Sequence, residues 1–215
     1  MTDYAASVAQ ALLDIGAVGF SPQKPLTFKS GLISPVYVDN RRLIYWPEQW
    51  HTVIQGFQSL LITAKLDSDV IAGVETAGIP HASALAFAAR LPSVFVRKQA
   101  KEHGTRSRIE GGSVSAKRVV LIEDLVTTGG SSLSGVDALR AEGALVEHCL
   151  AIVSYGFHQS VKAFDEAGVH LHVLTTFPII LDVAVGQGKF AKEQQAVILD
   201  WLADPEGWAG RHGFV

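Results

Sequence analysis

Residues 118–132 read Arg-Val-Val-Leu-Ile-Glu-Asp-Leu-Val-Thr-Thr-Gly-Gly-Ser-Ser. An apolar run, Val119 to Ile122, ends in two carboxylates, Glu123 and Asp124. After the Thr/Gly/Ser turn a helical spacing begins with Leu133, Val136 and Leu139. This is the pattern of a buried parallel strand feeding a helix through a ligand-binding loop. Gly129 and Gly130 let the backbone approach a ligand closely. The amides at the helix start, with the hydroxyls of Thr127, Thr128, Ser131 and Ser132, suit a phosphate. A bare phosphate is repelled by the two acids, whereas a phosphorylated sugar uses both, donating its hydroxyls to the carboxylates while its phosphate sits on the amides. The stretch reads as a ribose-5-phosphate cradle. A strand–helix turn with incidental acids is the bland alternative, and adjacent carboxylates at a strand end are costly unless used.

The flanking sequence alternates strands and helices. Helical spacing covers 3–15, 48–65, 80–90, 131–142 and 159–167. Buried strands are predicted at 70–74, 93–96, 118–123, 146–153 and 170–175. Leu26–Lys29 and Val36–Val38 are predicted to pair as a hairpin around Ser30-Gly31 and Ser34-Pro35. An amphipathic helix is expected over 187–203, followed by a loosely packed Gly-rich tail from Asp204 to Val215. The order implies an α/β fold with a mostly parallel central sheet flanked by helices.

A chain of 215 residues, 48% hydrophobic, suffices for one domain with a sizeable core and is not disordered. No apolar run reaches the ~18 residues of a membrane span, and the start has no secretory character, so a soluble cytoplasmic protein with no membrane partner is expected. The single cysteine, Cys149, lies in an apolar run and reads as a buried strand residue. A net charge of −3 argues against nucleic acid as a partner. Charge is nevertheless uneven: residues 97–108 carry Arg97, Lys98, Lys101, Arg106 and Arg108 against Glu102 alone. A solvated loop is one reading, and a lid over a polyanion is the other.

The segment 118–132 resembles the 5-phosphoribosyl-1-pyrophosphate (PRPP) signature of type I phosphoribosyltransferases. It lacks the Gly-Lys-Ser/Thr ending of a Walker loop. Three further segments extend the likeness. Glu75-Thr76-Ala77-Gly78-Ile79-Pro80 is a strand-end loop able to offer amides to pyrophosphate. Phe28-Lys29-Ser30-Gly31-Leu32-Ile33-Ser34-Pro35-Val36-Tyr37-Val38-Asp39-Asn40-Arg41 is similar to the N-terminal hood of orotate phosphoribosyltransferases. Arg97-Lys98-Gln99-Ala100-Lys101-Glu102-His103-Gly104, closed by Ile109-Glu110-Gly111, resembles that family's catalytic loop. The four pieces keep one order across residues 28–132.

The resemblance implies a single phosphoribosyltransferase domain over 1–215, with a hood over about 1–45 and a C-terminal helix over about 187–203. It implies transfer of ribose 5-phosphate from PRPP to orotate in pyrimidine biosynthesis, with Mg²⁺ as cofactor. Glu123 and Asp124 would hold the ribose hydroxyls, Asp124 also meeting the metal shell through water with no direct protein ligand to the metal. Leu125, Val126, Thr127, Thr128, Gly129, Gly130 and Ser131 would wrap the 5′-phosphate. Thr76, Ala77 and Gly78, with Arg97, Lys98, Lys101 and His103, would engage pyrophosphate. Lys29 would reach the substrates from the hood, and Tyr37, Val38, Arg41, Thr127 and Tyr155 would meet orotate. Lys101, His103 and Asp124 form the implied catalytic set. The family's loop enters the neighbouring subunit's site, which implies a homodimer.

Two departures stand out. Some members carry a lysine where this chain has Ala77. Many carry an Asp-Arg pair, its arginine on orotate, where this chain reads Ser154-Tyr155-Gly156-Phe157. Either Arg41, Lys29 or backbone groups take the orotate carboxylate, or the base is different. The rival readings are a phosphoribosyltransferase for another base and a non-catalytic PRPP-sensing regulator.

Overall fold

The computed structural model describes residues 4–28, 30–99 and 107–214. Its centre is a six-stranded sheet. In chain order the strands are β5 (Val70–Val74), β6 (Ser93–Val96), β7 (Ile109–Glu110), β8 (Arg118–Val126), β9 (Leu145–Ser154) and β10 (His170–Thr176). Their spatial order is β10-β9-β8-β5-β6-β7, parallel except for β7, which runs antiparallel to β6. Every residue of β5 is buried, and the apolar part of β8 is buried from Val119 to Ile122. This is the hydrophobic run expected of strands covered on both faces.

Helices α1 (Tyr4–Asp14), α2 (Pro47–Thr63) and α3 (Gly78–Ala89) pack on one face. There Leu12, Phe57 and Leu85 meet Ile71, Ile122 and Leu150. Helix α4 (Gly130–Ala141) and Phe164 of α5 (His158–Glu166) close the other face, with Val136 and Leu139 against Leu121 and Val146. From β5 the chain moves to β6 on one side, then crosses to β8 and continues outward through β9 and β10. The order therefore reverses between β5 and β8. In open α/β sheets the crevice outside the strand ends at such a reversal is where ligands bind.

The N-terminal segment departs from the predicted hairpin. Val36–Val38 (β4) pairs antiparallel with Val18–Phe20 (β1), while Leu26–Thr27 (β2) pairs with Ile33–Ser34 (β3). Pro35 separates β3 from β4, and the two short strands take different partners. A 3-10 helix, Asn40–Tyr45, leads into α2.

The C-terminus also differs. The expected helix over 187–203 starts later, as α7 (Lys192–Ala203), and is preceded by α6 (Phe177–Gly186), which was not predicted. The tail is not loose: α8 (Pro205–Arg211) buries Trp208 completely, and the Asp204 side chain caps its start by accepting from the Gly207 amide. Cys149 is a fully buried β9 residue, as its sequence context predicts.

Candidate active site

A cleft of about 490 Å³ opens at the reversal between β5 and β8. Glu75, Thr76 and Ala77 line it from the β5 end, and Glu123, Asp124, Leu125 and Thr127 from the β8 end. Tyr37, Val38, Arg41 and Phe28 come from the N-terminal segment, and Tyr155 comes from beyond β9. A second lobe of about 330 Å³ runs along Leu125–Ser132 and shares Phe28, Leu125, Thr127 and Ser131 with the first. A larger groove, about 810 Å³, lies beside Thr128 between Ser30–Ile33 and the α7–α8 turn. Its titratable lining is His158, Asp204 and Glu206, without the adjacent acids, buried Glu123 and half-buried Asp124, that mark the first cleft.

The strand carrying those acids is longer than predicted. It passes through Glu123 and Asp124 to Val126, held by β9 through Glu123↔Ala151 and Leu125↔Val153. Ser132 donates to Glu123 Oε2 at 3.1 Å, and the Asp124 amide donates to Glu123 Oε1 at 3.2 Å. Burial, and then the neighbouring Asp124 charge, push the Glu123 carboxyl up to about 8. Burial also raises Asp124, opposed by hydrogen bonds to its carboxylate and by the Arg41 charge. Two adjacent acids withdrawn from water resist double ionisation. The site is thus poised for hydroxyl donors or positive charge.

The loops follow from close backbone approach. A Cβ on Gly78 would lie 2.5 Å from the Ile122 carbonyl oxygen, so only glycine lets α3 start against β8. Gly129 has φ +88° at the N-cap of α4, leaving the first amides of that helix facing the second lobe. The Glu75–Thr76 peptide is cis. Glu75 Oε2 accepts from the Lys98 amide at 2.8 Å, tying the end of β5 to the start of the basic loop.

Most residues singled out in the sequence converge here. Thr76, Ala77, Lys98, Glu123, Asp124, Leu125, Thr127, Ser131, Tyr37, Val38, Arg41 and Tyr155 line the main lobe. Val126, Thr128, Gly129 and Gly130 line the second, and Gly78 begins α3 against Ile122 and Glu123 of β8. Arg97 stands at the edge, 3.5 Å from Glu110, its amide bonded to the Arg108 carbonyl. Lys29, Lys101 and His103 lie outside the described residues. The Tyr37 ring lies across Gly19 of β1, which seats it beside Val38. Arg41 is largely exposed and bonded to Asp39 at 2.6 Å. Tyr155 is buried, its ring stacked on Phe157 and set edge-on to Trp201.

Three participants were missed in the sequence: Phe28 lines both lobes, Glu75 holds Lys98, and Asn40 donates to the Asp124 carbonyl. The three sit inside quoted motifs, but nothing in the spacing distinguishes their side chains from filler. Ser132, read from the sequence as a phosphate hydroxyl, donates to Glu123 instead. Trp201, which bonds the Ile33 carbonyl at 3.0 Å, carries no local sequence signal at all.

Comparison with known proteins accords with this geometry. The phosphoribosyl transferase domain family matches residues 49–167. The chain is 40% identical over 210 residues to the orotate phosphoribosyltransferase of Cutibacterium acnes (strain DSM 16379 / KPA171202), covering 98% of this chain and 97% of that one. The crystal structure of orotate phosphoribosyltransferase from Aeropyrum pernix is similar with a TM-score of 0.73 at 29% identity, over 86% of this chain and 99% of that chain. Leishmania donovani UMP synthase gives 0.80 at 28% identity over 92% of this chain, which spans 42% of that longer protein. The chain belongs to the phosphoribosyltransferase family and, within it, to the orotate phosphoribosyltransferases.

Proposed function

We propose that the cleft joins PRPP and orotate to give orotidine 5′-monophosphate and pyrophosphate, a step of pyrimidine biosynthesis. The observation that carries this reading is the meeting of the adjacent acids, buried Glu123 and half-buried Asp124, with the glycine-started helix α4 and the Thr76–Gly78 loop at one sheet reversal. Amides and hydroxyls over Leu125–Ser131 take the 5′-phosphate. Glu123 and Asp124 accept from the ribose hydroxyls. The Thr76–Gly78 backbone, with Arg97, Lys98, Lys101 and His103, takes the pyrophosphate, so Ala77 serves without a lysine side chain. Tyr37, Val38, Thr127 and Tyr155 enclose the base, and Lys29 and Arg41 are the cations assigned to the orotate carboxylate.

As the C1′–oxygen bond of PRPP breaks, its electron pair leaves with pyrophosphate, and orotate N1 supplies the pair for the new bond to C1′. The cations of the 97–108 loop stabilise the departing charge, and closure of the cleft excludes water. Orotate enters as its carboxylate anion with N1 still protonated; forming the N1–C1′ bond acidifies that N–H, and the proton passes to pyrophosphate or water, so no strong general base is required. His103 donates a hydrogen bond or proton to the leaving group.

Magnesium fits this donor set. Glu123 and Asp124 present carboxylates to the cleft, the hard oxygen donors such an ion takes. Asp124 would hold the ion through water, and the ion would supply positive charge to the pyrophosphate. The reading extends to a cytoplasmic homodimer in which the basic loop of one subunit serves the other's site. The shared loop rests on the length and charge of residues 97–108 together with the family likeness.

The test offers purified protein, PRPP and Mg²⁺ with orotate, uracil, hypoxanthine and adenine in parallel. Orotate is expected to exceed the others by at least ~100-fold in kcat/KM, roughly 2.7 kcal/mol. Equal or better turnover of uracil or a purine refutes the orotate assignment.

A further inference from the structure

Asn40 sits inside the motif Asp39-Asn40-Arg41, yet neither the sugar nor the base reading uses it. Its side chain is fully buried, and Nδ2 donates to the Asp124 carbonyl at 2.7 Å across 84 residues of chain. A carbonyl can only accept, so the amide orientation is fixed with Nδ2 towards Asp124. The Asp124 amide meanwhile donates to Glu123 Oε1 at 3.2 Å. Both main-chain polar groups of Asp124 are thus engaged by side chains. Asp124 itself lies within β8, between the register pairs Glu123↔Ala151 and Leu125↔Val153, so these side chains add to its strand pairing. One of the two side chains that set the Asp124 backbone comes from the N-terminal segment. That segment also presents Tyr37, Val38 and Arg41 to the same cleft.

We propose that Asn40 is a positioning residue for PRPP use: its amide fixes the Asp124 peptide, and so the direction of the Asp124 carboxylate, and couples the base-side wall to the sugar site. The inference rests on the reading of Asp124 as a ribose-binding acid. It makes a distinction that simple burial does not. Loss of the amide should disturb the substrate that Asp124 faces and leave the other alone.

The experiment varies each substrate in turn for wild type, Asn40→Ser, Asn40→Asp, Asp124→Asn and the double variant Asn40→Ser/Asp124→Asn, with a melting temperature for each. For Asn40→Ser, kcat/KM for PRPP is expected to fall about tenfold with orotate KM within about twofold of wild type. Asn40→Asp should be worse, because a carboxylate then faces a carbonyl. In the Asp124→Asn background the serine substitution should add little, since both changes act on one group. Equal losses for both substrates, unchanged PRPP kinetics with only a lowered melting temperature, or full additivity in the double variant would each overturn the assignment. Failure of both Asn40 variants to fold would overturn it too, because a positioning residue leaves the fold standing. Wild-type turnover in the same assay separates the two levels. Absent turnover of PRPP with orotate sinks the functional reading and this inference with it. Normal turnover with unmoved PRPP kinetics in the variants sinks this inference alone.

Discussion

At the sugar-phosphate end of the cleft, the lining comes chiefly from the ends of β5 and β8 and the first turns of α3 and α4. The base end is gathered from stretches far apart: Tyr37 and Val38 on β4, Phe28 after β2, and Tyr155 after β9. Trp201 of α7 braces that end from behind, 168 residues from the Ile33 carbonyl it bonds. The first end is part of the sheet and inherits its rigidity. The second is only as well placed as the packing between distant segments. On the proposed reading, phosphoribosyl recognition is thus written into two strand–loop–helix units, β5–α3 and β8–α4, while base choice depends on tertiary assembly.

The contrast can be broken at several points. The largest effect is expected at Lys101. Lys101→Ala should lower kcat by about 10²–10³, roughly 2.7–4 kcal/mol, because its charge is wanted most as pyrophosphate leaves. A rise in KM alone in steady-state assays would make it a uniform binding residue instead. Next is Gly78→Ala. The added Cβ meets the Ile122 carbonyl at 2.5 Å, so α3 must move off β8. A stability loss of about 3 kcal/mol by denaturant titration is expected, at the top of the range for overpacking. A loss below the range would mean that the sheet end yields more easily than described.

Trp201→Phe probes the other end more gently. It keeps a ring against Tyr155 and Phe157 but leaves the Ile33 carbonyl without its donor, a cost of about 1–2 kcal/mol. Orotate KM should rise while PRPP KM holds. If both move together, the two ends are not separable.

A separate effect is in pH dependence. Glu123 is raised from an ordinary value near 4.5 to about 8, and Asp124 is raised as well. Between those values the folded protein holds a proton on Glu123 that the unfolded chain has lost. Stability of the free protein should therefore fall as pH rises through about 4.5 to 8, then level off. Glu123→Gln should flatten that slope. Identical melting profiles for the two proteins would show that Glu123 stays ionised.

The same division governs what could be read from the sequence. Val119–Ile122 followed by two acids and a Thr/Gly/Ser turn is a local pattern, and it placed the strand's end within a few residues of the one observed. The core strands at 70–74 and 93–96 are likewise local apolar runs, observed over those residues. The base end was harder. Val18-Gly19-Phe20 is too short to announce a strand, so Val36–Val38 was matched to Leu26–Lys29. The true pairing is a long-range choice made by packing. Helix α6 reads Phe-Pro-Ile-Ile-Leu-Asp-Val-Ala-Val-Gly, apolar nearly all round and rich in β-branched residues, so it shows little helical period. Trp208 lies in a Gly-rich tail whose composition suggests looseness, yet its buried ring stacks on Phe214. Lone aromatic anchors leave no periodic trace.

The most direct test of the central claim is a calorimetric titration of PRPP, in Mg²⁺, into wild type and Asp124→Asn. The substitution preserves shape and removes a charge that burial already penalises, so the melting temperature of the free protein should hold or rise. PRPP affinity should fall by about 10²-fold, since charge-assisted bonds to the sugar hydroxyls and the metal shell are lost. Wild-type PRPP affinity in Asp124→Asn would contradict the account and return the paired acids to a structural role.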